Sequence, residues 1–313
     1  MLLINKFKTL VRKFLILVFP KREIRRTYYQ VWGIWPNLTE PGNWIEKMYW
    51  LLLNTDTSLW TMCADKYAMR HYVSDCGLGH LLPRNYGKWD NVEDVSFDML
   101  PSEYVLKTNH STETCIIIRE GDNISLESIK STLKSWLNQR YGYDGCQFHY
   151  LNIKPAIIAE ELLRPDDFQM MVSPKSLIDY KFYCCSGKPV CVWVAYNRDN
   201  TTGVDMSIYD LNWEKHPEWL NDMHHYHYSP IDIPKPKCLE KMIEYCEILS
   251  SNFPEVRIDF YLINDVPYIG ELTFTSGYGF FTLDFYKYLG DHISLDKVEI
   301  KKQNILDHLK LML

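Results

Sequence analysis

Two charged triplets sit where charge is most costly, inside apolar, β-branched runs: Arg257-Ile258-Asp259 and Glu271-Leu272-Thr273, on the two sides of an Asn264-Asp265 turn. Burying such groups costs several kcal/mol, of order 2–7 for a neutral polar group and more for a charge, unless something compensates them. A divalent cation compensates two carboxylates naturally, so the pair Asp259 and Glu271 predicts a magnesium site. Register decides whether the pair can form. A simple two-residue turn would set Asp259 against Gly270 and turn Glu271 to the opposite face, whereas one bulge or a longer connection sets Asp259 against Glu271 and Arg257 against Thr273. The second register is the expectation.

Magnesium keeps waters and completes its shell with phosphate oxygens, so such a pair implies a nucleotide and calls for cations elsewhere. Lys107 ends the strand-like run Tyr104 to Lys107, just before the small polar loop Thr108 to Thr114. A lysine there can meet phosphates while backbone N–H groups line them. Arg70, on a helix expected over Asp65 to Cys76, is a second candidate. The chain has neither a GxGxxG turn nor a GxxxxGK[ST] loop.

The order of elements reads as α+β. Helical faces recur over residues 44–53, 126–137 and 239–249, and Gly77 to Asp98 reads as connecting loop. Short strands are expected at 104–107, 115–119 and 155–159, followed by hairpins over 180–196 and 256–274. With 313 residues, 46% of them hydrophobic, the chain can bury a core shared by two or three lobes. The expected boundaries are 1–60 for a helical N-terminal region, 61–98 for an N-terminal lobe and linker, 99–165 for a small lobe, and 166–313 for a large lobe with the metal site. A net charge of −6 argues against nucleic acid as a partner. Nine cysteines without a CxxC pair read as reduced, cytoplasmic core thiols. His224, His225 and His227 read as a surface loop rather than a metal site.

Residues 1–26 carry eight basic side chains against Glu23, with Ile4, Phe7, Leu10, Val11, Phe14 and Leu17 at helical spacing. The apolar run is too short for a membrane span, which needs roughly 20 residues. Two readings of this basic amphipathic helix stay open: a peripheral anchor on the inner membrane face, or a helix packed on its own domain.

The ordered series Asp65-Lys66-x-x-x-Arg70, Leu82-Pro83, Val105-Leu106-Lys107, Ala159-Glu160-Glu161-Leu162-Leu163, Arg257-x-Asp259 and Glu271-x-Thr273 resembles the ATP-grasp superfamily. The phrases DKYAMRHYV, YVLKTNH, NIKPAIIAEELL, DYKFYC, VRIDFY and GELTF resemble its TupA-like branch, found in clusters for bacterial cell-surface polysaccharides, over about residues 60–280. The resemblance implies an ATP-grasp fold in which two α+β lobes enclose ATP. It implies that Arg70 and Lys107 bind phosphates, and that the loop holding His110 covers them. That loop reads Asn109-His110-Ser111-Thr112-Glu113 where the branch usually has glycines. The stretch Glu160, Glu161 to Leu163 would be the hinge for adenine. Asp179 would suit the ribose, with Lys181 or Arg198 on the terminal phosphate. Asp259, Glu271 and Thr273 would hold two Mg²⁺, and Arg257 would stabilise developing charge.

The activity so implied is carboxylate–amine ligation through an acyl phosphate, joining an amino compound to a sugar acid or glycan precursor. Three rivals remain: a sugar kinase on the same fold, a glycosyltransferase, and a non-catalytic membrane-associated binding module. The sequence holds no DxD triplet to favour the glycosyltransferase.

Overall fold

The computed structural model describes residues 2–199, 201–221 and 225–301, with residues 2–6 as main chain only. The basic N-terminus is two helices rather than one, α1 (Leu2–Val18) and α2 (Pro20–Trp32). Pro20 at the first turn of α2 explains the break, since proline starts a helix readily and cannot continue one. Next come α3 (Trp44–Asn54), α4 (Ser58–Ala64) and α5 (Met69–Asp75). The helix expected over 65–76 is therefore split: Asp65 ends α4, and its carboxylate accepts from the N–H groups of Tyr67 and Ala68 in the turn that follows.

The small sheet holds β1 (Asn85–Trp89), β2 (Tyr104–Thr108), β3 (Cys115–Ile118) and β4 (Ile157–Glu160), in the antiparallel order β1-β4-β2-β3. Strand β1 falls in the stretch read from sequence as connecting loop. It contributes one short, half-exposed edge of mixed polarity, which gives no alternating signal. Helix α6 (Leu126–Leu137) covers this sheet, placing Ile129 and Leu133 against Leu106, Ile157 and Ala159. The one-turn helix α7 (Phe148–Leu151) precedes β4, and α8 (Asp167–Val172) leads out of the irregular chain after it.

The large sheet holds β5 (Asp179–Cys185), β6 (Lys188–Asp199), β7 (Gly203–Tyr209), β8 (Tyr226–Tyr228), β9 (Glu255–Ile263) and β10 (Val266–Thr273). Its order is β10-β9-β5-β6-β7-β8, antiparallel except for the parallel β7–β8 edge. Helix α9 (Leu239–Ser250) buries Leu239, Met242, Cys246 and Leu249 against it. Helix α10 (Leu283–Asp291) closes the fold against α3, whose N-terminus is fixed by a capping box of Asn43 and Glu46.

Both expected hairpins are present. Their two-residue turns, Ser186-Gly187 and Asn264-Asp265, take positive φ at both positions, which matches the strand twist. The second hairpin also contains the bulge that the metal-site register required. Ile269 pairs with Phe260, Gly270 is extra, and Glu271 pairs with Asp259 and Thr273 with Arg257. A side chain at Gly270 would press on the Tyr261 ring at 3.0 Å. All nine cysteines are unpaired. No described helix is long and apolar enough to cross a membrane.

Candidate active site

Strand β5 pairs with β9 in a register that sets Lys181 opposite Asp259 and Tyr183 opposite Arg257, so three adjacent strands point charged side chains to one face. Arg257 is central. Its Nε donates to Asp259 Oδ1 at 2.6 Å, and its Nη2 donates to Asp259 Oδ2 at 2.7 Å, Glu271 Oε1 at 2.9 Å and Thr273 Oγ1 at 3.2 Å. Its Nη1 donates to Ser276 Oγ at 2.6 Å. Asp259 is also held by Lys181 Nζ at 2.6 Å, and Lys181 lies 3.3 Å from Asp179, which Arg198 approaches at 3.6 Å. On the other side, Lys66 lies 3.9 Å from Glu271 Oε2. The result is a line of alternating charge: Arg198, Asp179, Lys181, Asp259, Arg257, Glu271, Lys66.

Electrostatics follow from burial and crowding. Burial pushes the Asp259 carboxyl up, and Arg257 and Lys181 oppose it. With three charge-assisted bonds from two buried cations, the carboxylate is the form this geometry holds, because a neutral acid would leave both cations uncompensated. Glu271 is half-buried, yet Lys66, Arg257 and Lys181 hold its carboxyl well below the usual range. Lys66 is pushed down by burial and by neighbouring Lys107, against the pull of Glu271.

The small sheet supplies a second cluster. Glu160 is 6% exposed and accepts from Lys107 Nζ at 2.9 Å and from Arg70 Nη1 at 3.2 Å. Burial pushes Lys107 down but the Glu160 carboxylate outweighs it, so the ammonium is retained. Glu160 thus acts through its side chain as the shared counterion of both expected phosphate-binding cations. Its neighbours differ: Glu161 is exposed and bonds across to the main chain of Arg84, and Leu163 is half-buried.

The loop after Lys107 is not an open flap. Thr108 Oγ1 meets the hydroxyls of Ser111 and Thr114 at 2.9 and 2.6 Å. Asn109 bonds to the Asp65 carboxylate, to the Lys154 carbonyl and to the Ala156 N–H. His110, expected to line phosphates, is instead 2% exposed with Nε2 against the Gln139 carbonyl, because these polar side chains draw the loop into the body. Burial pushes its imidazole down.

Lys66 and Ser276 join the site without having been singled out as site residues. Lys66 stood inside the Asp65-Lys66-x-x-x-Arg70 phrase, but only the fold brings it to Glu271; Ser276 stood just after the second triplet. Among the described histidines of the 224–227 cluster, His227 meets the Thr202 carbonyl at 3.1 Å, and His224 lies outside the described residues.

Residues 46–294 match a family model described as TupA-like ATPgrasp. No curated protein matches the chain. Among solved structures, D-alanine–D-alanine ligase from Bacillus anthracis complexed with ATP is 13% identical, covering 80% of this chain and 72% of its own, with a TM-score of 0.48. L-amino acid ligase from Bacillus licheniformis is 12% identical over 71% of this chain and 45% of its own, with a TM-score of 0.41. An ATP-grasp ligase, PsnB, solved with a precursor variant, Mg and ADP, is 13% identical over 76% and 60%, with a TM-score of 0.42. At these values the three likenesses add nothing to the family match.

Proposed function

The chain belongs to the TupA-like ATP-grasp family, and from that membership and the geometry above we propose that it uses ATP to activate a carboxylate and join it to an amine. The observation that carries this reading is the convergence of Asp259, Glu271 and Thr273 on one point, the Arg257 Nη2 atom, at 2.7, 2.9 and 3.2 Å. Three oxygen donors on a single cation, from adjacent strands, are the donor set that a hard divalent ion takes, so the residues fit Mg²⁺. When bound, Mg²⁺ would neutralise phosphate charge and orient the terminal phosphoryl group.

The remaining chemistry belongs to side chains. Lys107 and Arg70, exchanging Glu160 for phosphate oxygens, would bind the triphosphate from the small sheet. Lys181 and Arg198, beside Asp179, would hold the terminal phosphate and ribose from the large sheet. Substrate carboxylate attacks the γ-phosphorus and ADP leaves, giving an acyl phosphate. An amine then attacks the acyl carbon, phosphate leaves with the bonding pair, and the amine proton passes to solvent or a base. Arg257, displaced by the ion from the oxygens of Asp259, Glu271 and Thr273, would stabilise the charge on the transferring group. The sugar-acid and amino partners of a cell-surface glycan are the substrate class proposed.

Incubation with ATP, Mg²⁺ and panels of uronic acids and amines tests this. Hydroxylamine should trap an acyl hydroxamate, and Asp259→Asn should lower ADP release by at least about a hundredfold, as loss of a major electrostatic contact does. A stable phosphate ester would instead identify a kinase, and ADP release at background in the unmodified chain would end the catalytic reading.

A further inference from the structure

Helix α1 docks through its C-terminal end and leaves a stripe of apolar side chains in water. Beside the body, Lys13 lies over the Tyr143 ring at 4.6 Å, and the exposed Arg12 bonds to the exposed Asp144 at 3.0 Å. Several apolar residues point out. Phe7 is 66% exposed, Leu10 55% and Phe14 43%, and Phe19 in the connection to α2 is 52% exposed. Among the described side chains of α1, Ile16 and Leu17 reach the core, with Ile24 and Tyr28 of α2. An exposed apolar stripe of this size on an amphipathic helix marks an interaction surface.

Charge identifies what covers it. Residues 1–26 carry net +7, which leaves −13 on the rest of the chain. Lys8, Lys21, Arg22 and Arg25 are all exposed, and no carboxylate among the described residues pairs with them. Apolar side chains flanked by unpaired cations suit the boundary between acyl chains and anionic headgroups. We propose that the α1–α2 hairpin seats the protein on an anionic lipid surface, with Phe7, Leu10, Phe14 and Phe19 entering the acyl boundary and the basic residues meeting the headgroups.

The seat lies close to the charged cluster. The polar side of α1 borders a cavity of about 440 Å³ whose far wall includes Gln147, and Gln147 Nε2 donates to the Thr275 carbonyl at 2.7 Å, next to the Ser276 that holds Arg257. Tyr278, just beyond, donates to Thr27 of α2 at 3.2 Å. The inference stands apart from the ligase reading, because lipid binding needs no catalysis.

Co-sedimentation of the full chain with phosphatidylglycerol–phosphatidylethanolamine vesicles, beside phosphatidylcholine vesicles, tests it. The chain should pellet with the anionic vesicles and be released as salt rises to about 0.5 M. Replacing both Phe7 and Phe14 by Ser should weaken binding at least about tenfold without moving the melting temperature, since both rings are exposed. The charge reversal Lys21→Glu with Arg25→Glu should do the same. A chain that stays in the supernatant at low salt overturns the proposal. So does equal binding to both lipids, or light scattering that shows a dimer which the Phe variant makes monomeric.

Discussion

Glu255 opens the strand that carries Arg257 and Asp259 on the same face, yet it plays the opposite part. It is 1% exposed, and neither carboxyl oxygen has a hydrogen-bond partner among the described residues. Burial pushes its carboxyl well above the ordinary 4.5, with Arg257 opposing only weakly, so the folded chain keeps its proton. The unfolded chain releases that proton above 4.5, so the native state binds more protons and stability falls as pH rises, by about 1.4 kcal/mol per pH unit until the native carboxyl itself titrates. Glu255→Gln should remove that slope: melting curves of the two forms should coincide near pH 4 and diverge toward pH 8, with the variant the more stable. Parallel curves would show that Glu255 is not buried neutral. At this scale the sequence marks which residues are out of place in their strands, as Arg257, Asp259 and Glu271 are. It does not mark their partners. That Glu160 joins Lys107 to Arg70, or that Lys66 reaches Glu271, depends on chain reversals no local pattern encodes.

Among the elements, the bulge at Gly270 shows how one residue decides which face a side chain takes. The turn has two residues, which alone would turn Glu271 away, and one unpaired glycine restores the face. Other elements had no such signal. Strand β1 is an edge, β7 and β8 follow the long β6, and α10 is nine residues long behind an aromatic stretch. Helix α10 owes its place to a close approach. A Cβ at Gly290 would stand 2.7 Å from the main chain of Asn43 and Trp44, while Lys47 Nζ donates to the carbonyls of Gly290 and Ile293 at 2.8 Å. Gly290→Ala should therefore cost about 1–3 kcal/mol and lower the melting temperature by a few degrees. An unchanged melting temperature would mean that α10 can slide on α3 freely.

For the whole molecule, an α+β fold is what the mix of helical and strand patterns predicted, and the approach of the two sheets is what it could not predict. The central strands of each sheet can be read from their own segments; the meeting of Lys66, in the turn between α4 and α5, with Glu271 of β10 is a property of the packed chain. Mg²⁺ with ATP should raise the melting temperature, since a ligand bound only by the folded form adds about 2.7 kcal/mol at a hundred times its dissociation constant. Either component alone should give a clearly smaller shift, and equal shifts for ATP with and without Mg²⁺ would remove the metal from the reading.

The two counterion arrangements have a consequence for how a guest can enter. Glu160 already stands where an anion would sit between Lys107 and Arg70, and Arg257 already stands where a cation would sit between Asp259 and Glu271. The two clusters thus balance their charges internally, and like charge does not drive the sheets apart there. Admission is an exchange of tenants: a visitor bearing only one sign strands the opposite sign in a half-buried cleft, whereas a visitor bearing both can displace both residents together.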